Sequence, residues 1–486
     1  MSAAAMRPVF RGMAASLALL LPACAVGPNY HRPDARVPTA YKELPSEVSQ
    51  WTPSAPRDSA DRGAWWSIFN DPVLDGLERQ VDISNQTIKE YEAEYRQAVG
   101  LLKEAKSQYF PTLGITGGVT RGGGGGGTTS TSSTVGSGPG GRATTEFRLE
   151  SNVSWTPDVW GTIRRQVESR KANVQVNQAD LANARLSAQA TLAVDYFDLR
   201  AADSLRTLLA QSVEAYRRSL QITENQLKGG VASNGDLALA QAQLQATQAQ
   251  LVAVEQQRGT YEHAIAVLTG HLPSELTIAP APLTTTLPAV PVMVPSALLE
   301  RNPAIAAAER QMQVESALIG VAIGAYFPQI TLSGIGGFAG NPLSKLFNIG
   351  NRIWSIGASA TDTLYDFGDR AGAVYTARAN YDQYVATYRQ TVLTSFQSVE
   401  DQLLALRVLE QEDQFQAQAV ASAQLAADVS LNEFNAGTVA YTTVVTAQQT
   451  LLNDQQSELT IQQNRLVAAV TLIEALGGGW DSSELR

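Results

Sequence analysis

The sequence predicts a mainly α-helical fold with a transmembrane β part, carried by two structural repeats in one chain. Three observations predict it. The two halves of the sequence match each other. Each half contains a proline-free stretch too long for a compact domain, from Ile163 to Lys228 and from Arg370 to Phe434. Before each of these stretches lie short segments in which apolar and polar residues alternate.

The internal match is the strongest of the three. Sliding the sequence by 207 residues aligns the halves without a gap from about residue 157 to 270. Trp160-Gly161 falls on Phe367-Gly368, Lys171-Ala172-Asn173 on Arg378-Ala379-Asn380, and Gly230 on Gly437. Ala240-Gln241 falls on Ala447-Gln448, Leu244 on Leu451 and Gly270 on Gly477. Upstream, Tyr109-Phe110-Pro111 matches Tyr326-Phe327-Pro328 at an offset of 217. The difference between the offsets lies in the intervening loop, which in the first half is the Gly122–Gly127 run and the Thr/Ser/Gly stretch to Gly141. That composition reads as a solvated excursion with no means of forming a core.

Four strands follow from period-two patterning. The expected segments are about 112–121, 143–157, 329–340 and 352–366. In the second, Phe147, Leu149, Val153 and Trp155 alternate with Arg148, Glu150, Asn152 and Ser154. In the fourth, Trp354, Ile356, Ala358 and Ala360 alternate with Ser355, Gly357, Ser359 and Thr361. Strands of about ten residues with one apolar and one polar face suit a transmembrane barrel. Four strands cannot close a barrel, whereas three copies of the chain supply twelve.

Four long helices follow from the absence of proline and from seven-residue seams. They are expected at 163–228, 236–270, 370–434 and 443–476. At 1.5 Å per residue the longest reach about 100 Å, the dimension of a coiled coil or of the stave of a tube. Val445, Leu452, Leu459, Leu466 and Ile473 recur every seven residues, as do Leu237, Leu244 and Leu251. Such a repeat imposes a left-handed supercoil. The remaining faces carry Ala, Gln, Ser and Thr, which suits helices touching neighbours on their flanks and water on their inner and outer faces.

The N-terminus reads as an export signal over residues 1–23. Arg7 and Arg11 precede an apolar run from Gly12 to Leu21, too short to span a bilayer, which needs roughly 20 residues. Leu21-Pro22-Ala23-Cys24 then resembles a lipoprotein cleavage site, with the thiol of Cys24 as the lipidation point. Several acyl chains anchor durably where one binds marginally. Ala25, in place of an aspartate, favours the outer membrane by analogy with known lipoprotein sorting. Residues 24–72 form a tether, with prolines at 28, 33, 38, 45, 53 and 56. Repeat 1 spans 73–280, a proline-rich linker 281–295, repeat 2 296–476 and a tail 477–486.

Composition excludes several function classes. The chain has 486 residues and a net charge of −10, with no basic run, so nucleic acid is not an expected partner. Its one cysteine rules out an internal disulfide. His31, His263 and His271 lack ligand spacing, so no metal site and no cofactor are expected. No nucleophile–base pair or paired carboxylates form a catalytic motif, so no catalytic residue is assigned.

In these features the chain resembles the outer-membrane factor family, the TolC/OprM-like ducts, and among them the NodT-type lipoproteins. The resemblance rests on Cys24-Ala25-Val26-Gly27-Pro28 with Tyr30 and Pro33, Trp65-Trp66 with Phe69, Asp71-Pro72, and Asn85. In the second half it rests on Arg301-Asn302-Pro303 with Ala308-Glu309, Tyr326-Phe327-Pro328 and the tip from Phe434 to Gly437. It implies a homotrimer with a twelve-stranded barrel in the outer membrane and a twelve-helix tunnel in the periplasm. The 64–80 region and the chain end would form an equatorial belt. The implied partners are a periplasmic adaptor, an inner-membrane pump of the RND type, and outer-membrane lipid. The implied activity is passive conduction of substrates such as drugs. A type I secretion or metal-efflux duct is the alternative within transport, and a structural coiled-coil lipoprotein the alternative outside it.

Two glycine turns mark the implied periplasmic tip, Lys228-Gly229-Gly230-Val231 and Asn435-Ala436-Gly437-Thr438. Glycine supplies the positive φ that ends a helix. The resemblance assigns Gly230, Val231, Gly437 and Thr438 to adaptor contact. It places an aspartate six or nine residues after the glycine at the aperture. Asp236 fits, whereas Thr443 and Thr446 occupy those offsets after Gly437. Asp236 is thus either one of three carboxylates around a trimer axis, drawing cations, or a first-turn residue favoured by the helix dipole.

Overall fold

The computed structural model describes residues 25–34, 38, 40–43, 64–122, 144–284, 286–288, 290, 295–480 and 485. The signal segment, Cys24, most of the tether and the glycine-rich loop beyond Gly122 lie outside them. After a 3-10 turn at Trp65–Phe69 come α1 (Pro72–Ser84), α2 (Gln86–Ser107), β1 (Thr112–Gly122) and β2 (Thr144–Trp155). Next are α3 (Thr162–Lys228), α4 (Asn234–Leu268), the short α5 (Pro295–Arg301) and α6 (Pro303–Gly324). The chain ends with β3 (Gln329–Gly340), β4 (Arg352–Thr361), α7 (Asp369–Asn435) and α8 (Tyr441–Ala475). The halves match in length as well as in sequence. α2 and α6 have 22 residues each, α3 and α7 67, α4 and α8 35.

The compact units cut across the repeats. One comprises residues up to Arg32 with Gln97–Val174 and Gln311–Val385; the other comprises Pro33–Arg96, Gln175–Arg310 and Ala386–Arg486. Each draws on both halves of the sequence, so the repeats are units of sequence and not of packing.

The first unit holds one antiparallel sheet in the order β1-β2-β3-β4. Register places Leu113 opposite Val153, Leu149 opposite Phe338, and Gly334 opposite Ile356, which gathers the apolar side chains of all four strands on one face. The other face carries Arg148, with Glu146 at 3.5 Å and Glu150 at 3.3 Å. β4 stops at Thr361, five residues short of the expected end at 366. The reason is Arg370, whose guanidinium collects the carboxylates of Asp362 and Asp366 and the carbonyl of Thr363. That curls 362–368 into a turn.

In the same unit a buried arginine fastens the N-terminal segment. Arg165 donates from Nε to Val26 O at 3.2 Å, and from Nη2 to Gly27 O at 3.2 Å and Asn29 Oδ1 at 2.8 Å. Its charge is balanced by Glu168 at 2.8 Å. Gly27 has φ +99°, and a Cβ there would lie 2.5 Å from the Cα of Gly320, so both positions need glycine.

The second unit is built on long helices. On α3 the residues Leu192, Tyr196, Leu199 and Asp203, and further on Leu209, Val213 and Tyr216, are buried at three- and four-residue spacing within each set. They meet the expected seams: Leu209, Val213 and Tyr216 pack with Leu244 of α4 and Leu452 of α8. The repeats also make one contact twice. Asn85 accepts from Ile88 N at 3.1 Å and donates to Leu268 O at 2.8 Å. Asn302 accepts from Ile305 N at 3.3 Å and donates to Ala475 O at 3.1 Å. A side chain at Gly270 would strike Ser84 O at 2.5 Å, and one at Gly477 would strike Arg301 O.

Asp203 interrupts the apolar stripe of α3 and is compensated. Arg200 reaches it at 3.2 Å, Arg258 at 2.7 Å and the amide of Ala281 at 3.1 Å. Arg200 also donates to Ala279 O at 2.7 Å and Arg258 to Ile278 O at 2.5 Å. The network ties the start of the inter-repeat linker to α3 and α4.

Candidate functional site

The two helix–helix turns are built alike. α3 ends in a turn where Val231 N donates to Gln226 O at 2.8 Å and Gly230 N to Leu227 O at 3.0 Å. α7 ends with Thr438 N on Glu433 O and Gly437 N on Phe434 O, both at 3.0 Å. Gly230 and Gly437 share φ +76°. This hydrogen-bond pair and the left-handed glycine satisfy the last carbonyls of each helix. Gly230, Val231, Gly437 and Thr438 are all exposed.

The helices leaving the turns begin differently. Ser233 caps α4: its Oγ accepts from Asp236 N at 3.1 Å, while Asp236 Oδ2 accepts from Ser233 N at 2.9 Å. This is a capping box, and it engages the Asp236 carboxylate as a helix-start group. Asp236 remains half exposed. α8 has Ala440 at the equivalent position, with no side-chain cap. Thr443 and Thr446 are exposed, and Thr446 donates to Thr442 O at 2.9 Å.

The turns lie together. Ala240 of α4 packs with Phe434, Tyr441 and Val444, and Gln226 donates to Phe434 O at 3.2 Å. The rings of Phe434 and Tyr441 are 5.1 Å apart. Burial pushes the Tyr441 hydroxyl up to about 12, so it stays neutral. Ser233 carries a signal legible in the sequence, Ser-x-x-Asp ahead of a helical pattern. Arg165 left no such signal, because its partners lie far away in sequence.

The four-stranded sheet has one apolar face. Leu113, Ile115, Val119, Trp354 and Ile356 are exposed on it, with no cover among the described residues. Both outer strands, β1 and β4, pair on one side only among the described residues. Among those residues no helix is long and apolar enough to cross a membrane. No group of three His, Cys, Asp or Glu side chains there converges to hold a metal ion.

Comparison with known families matches residues 78–271 and 294–478 to the model described as outer membrane efflux protein. The chain belongs to this family. The two matched segments correspond to its two repeats. The Pyoverdine export outer membrane protein OpmQ of Pseudomonas aeruginosa is 27% identical over 468 residues, covering 96% of both chains. The Cation efflux system protein CusC of Escherichia coli is 26% identical over 477 residues, covering 96% of this chain and 97% of that one. The solved structure of the outer-membrane channel OprN superposes with a TM-score of 0.84 at 27% identity, covering 94% of this chain and all of the other. Within this outer membrane efflux family the present chain has the mainly helical channel fold of its relatives and is an outer-membrane efflux channel.

Proposed function

We propose that this protein is the passive outer-membrane duct of a three-component efflux machine, working as a homotrimer. The carrying observation is a four-stranded sheet with one bare apolar face and two open edges. Hydrocarbon does not tolerate unpaired backbone groups, so a membrane-embedded sheet must close on itself. Three copies give twelve strands, enough for a barrel. The paired helices and their exposed tips are the surfaces for a periplasmic adaptor, which links the duct to an inner-membrane pump of the RND type. The duct itself performs no chemistry. Lipid on Cys24 anchors the N-terminus in the outer membrane.

OpmQ and CusC are named for unlike cargo, pyoverdine and cations. That range supports a wide conduit whose substrate is set by the pump. The test is dye accumulation in cells lacking their own duct, with the cognate adaptor and pump supplied. Restored export with this protein, and none with a variant lacking β4, supports the reading; equal accumulation with and without the protein refutes it. Palmitate labelling of wild type but not of Cys24→Ser checks the anchor.

A further inference from the structure

Among the described residues, all the charge on the polar face of the sheet comes from one strand. By register that face carries the even-numbered residues of β1 and β2 and the odd-numbered residues of β3 and β4. Its charged side chains there are Glu146, Arg148 and Glu150 of β2. The other charged strand residues fall on the apolar face, Arg121 opposite Thr145 and Arg352 opposite Phe338. The rest of the polar face is uncharged, mostly Thr, Ser and Gly.

The three side chains form a ladder along the strand. Residues two apart on one face of a strand are about 7 Å apart, within the span of an arginine. Arg148 sits midway, with Glu150 at 3.3 Å and Glu146 at 3.5 Å. Nothing large stands beside them. Gly118 of β1 lies opposite Arg148 and Gly337 of β3 opposite Glu150. A side chain at Gly337 would strike the Leu149 carbonyl, so β3 presses against the backbone at this rung. The side chains of Glu146 and Arg148 stay about half exposed, and that of Glu150 is the most covered.

Folding does not account for the ladder. Exposed ion pairs add little to stability, and uncharged Thr and Ser serve the same face at other rungs. Its place points to a use. The long helices join the sheet at the Thr112 and Trp155 ends of β1 and β2, whereas Glu146 lies just inside Thr144, at the hairpin-loop end. Two carboxylates and one guanidinium leave a surplus of one negative charge per chain at that end.

We propose that Glu146, Arg148 and Glu150 set the charge preference of the duct at its outer mouth, favouring cationic over anionic cargo as it leaves. On the trimeric duct reading above, on which this rests, the polar face lines the lumen and three copies place three such surpluses around one opening. Rings of carboxylates draw cations and repel anions, and a low-dielectric wall focuses their field. Arg148 is the restraint: by neutralising one carboxylate of each pair it keeps the mouth from binding cations too tightly to release them.

Reversal potentials of the full-length protein in planar bilayers under a KCl gradient test this. Wild type should prefer potassium over chloride. Arg148→Gln doubles the surplus negative charge and should shift the potential further towards the potassium limit. Glu146→Gln/Glu150→Gln leaves Arg148 alone and should shift it the other way. Arg148→Glu/Glu150→Arg exchanges the pair at constant net charge and should stay at the wild-type value, which a merely structural role would not ensure. Asp236 is untouched in every variant, so these shifts are separate from any charge at the helix tips. In wild type itself the preference should weaken as the salt rises from about 0.1 M to 1 M, because the screening length falls from about 10 Å to 3 Å. That measurement needs no substitution, so it stands even where a variant fails to insert. Equal potentials in wild type, Arg148→Gln and Glu146→Gln/Glu150→Gln overturn the proposal, as does a wild-type preference indifferent to salt. Channels that conduct with unmoved potentials sink only the ladder, whereas a wild type that conducts no ions sinks the duct reading.

Discussion

Replacing Glu78 by glutamine should make the protein more heat-resistant, by an amount that grows with pH. Glu78 lies on α1 within the apolar stripe Leu74, Leu77, Val81, with 0% exposure and no hydrogen-bond partner for either carboxylate oxygen among the described residues. Burial, reinforced by Asp82 and Asp75, pushes its carboxyl up to about 9 from the ordinary 4.5. The folded chain thus keeps a proton that the unfolded chain releases between pH 4.5 and 9. Stability falls as pH rises through that window and levels off above it. At pH 7 the loss is about 3 kcal/mol, and above pH 9 about 6 kcal/mol. An unfolding entropy of about 2 cal/mol/K per residue over 486 residues converts these to roughly 3 °C and 6 °C. Glutamine keeps the shape and cannot ionise. Calorimetry of the solubilised protein at pH 5, 7 and 9 should show Glu78→Gln gaining about 1, 3 and 6 °C over wild type. A gain that does not change with pH would refute the reasoning, because other raised carboxyls, such as Asp195 with its value near 6, are common to both proteins.

Ser233→Ala should destabilise the first tip by about 1 kcal/mol, and Ala440→Ser with Thr443→Asp should stabilise the second by a similar amount. Amide exchange at the starts of α4 and α8 reads both; no change in either would mean that the caps do not hold these ends. Asp203→Leu leaves Arg200 and Arg258 buried without their carboxylate and should cost about 3–5 kcal/mol, seen as a lower urea midpoint. A midpoint equal to wild type would show the network to be dispensable. Asp236→Asn should lower the cation preference of reconstituted channels and Thr446→Asp should raise it. Unchanged selectivity in both would leave Asp236 as a helix cap alone.

The fold class was legible because its signals are local or periodic. Pro111 and Pro328 stop helices, alternation marks β2 and β4, and seven-residue spacing marks α8. The tips were legible because a left-handed glycine is needed at Gly230 and Gly437. What escaped was the pairing of distant polar groups. Arg165 holds Val26, Gly27 and Asn29, and Asp203 holds the linker, through hydrogen bonds that leave no period in the sequence. The early end of β4 escaped for a related reason. Apolar Leu364 and Tyr365 lie beyond Thr361, but Asp362 breaks the apolar phase and the three-way grip of Arg370 turns the chain there. Glu78 was half visible, a carboxylate at a stripe position of a helix, but its lack of a hydrogen-bond partner among the described residues is a fact of packing.

The order of the strands has a consequence for the life of the chain before it is finished. Each hairpin closes over a short stretch, but the β2–β3 seam joins Ser151 to Gly336, 185 residues apart. Closing so large a loop costs entropy that no contact returns until the seam is made. For as long as the second half is still being delivered, the first hairpin has an oily face and an unpaired edge at once. Such intermediates aggregate at ordinary concentrations. The finished sheet is therefore guarded by timing, and an interruption in delivery is more dangerous to this protein than a modest loss of stability.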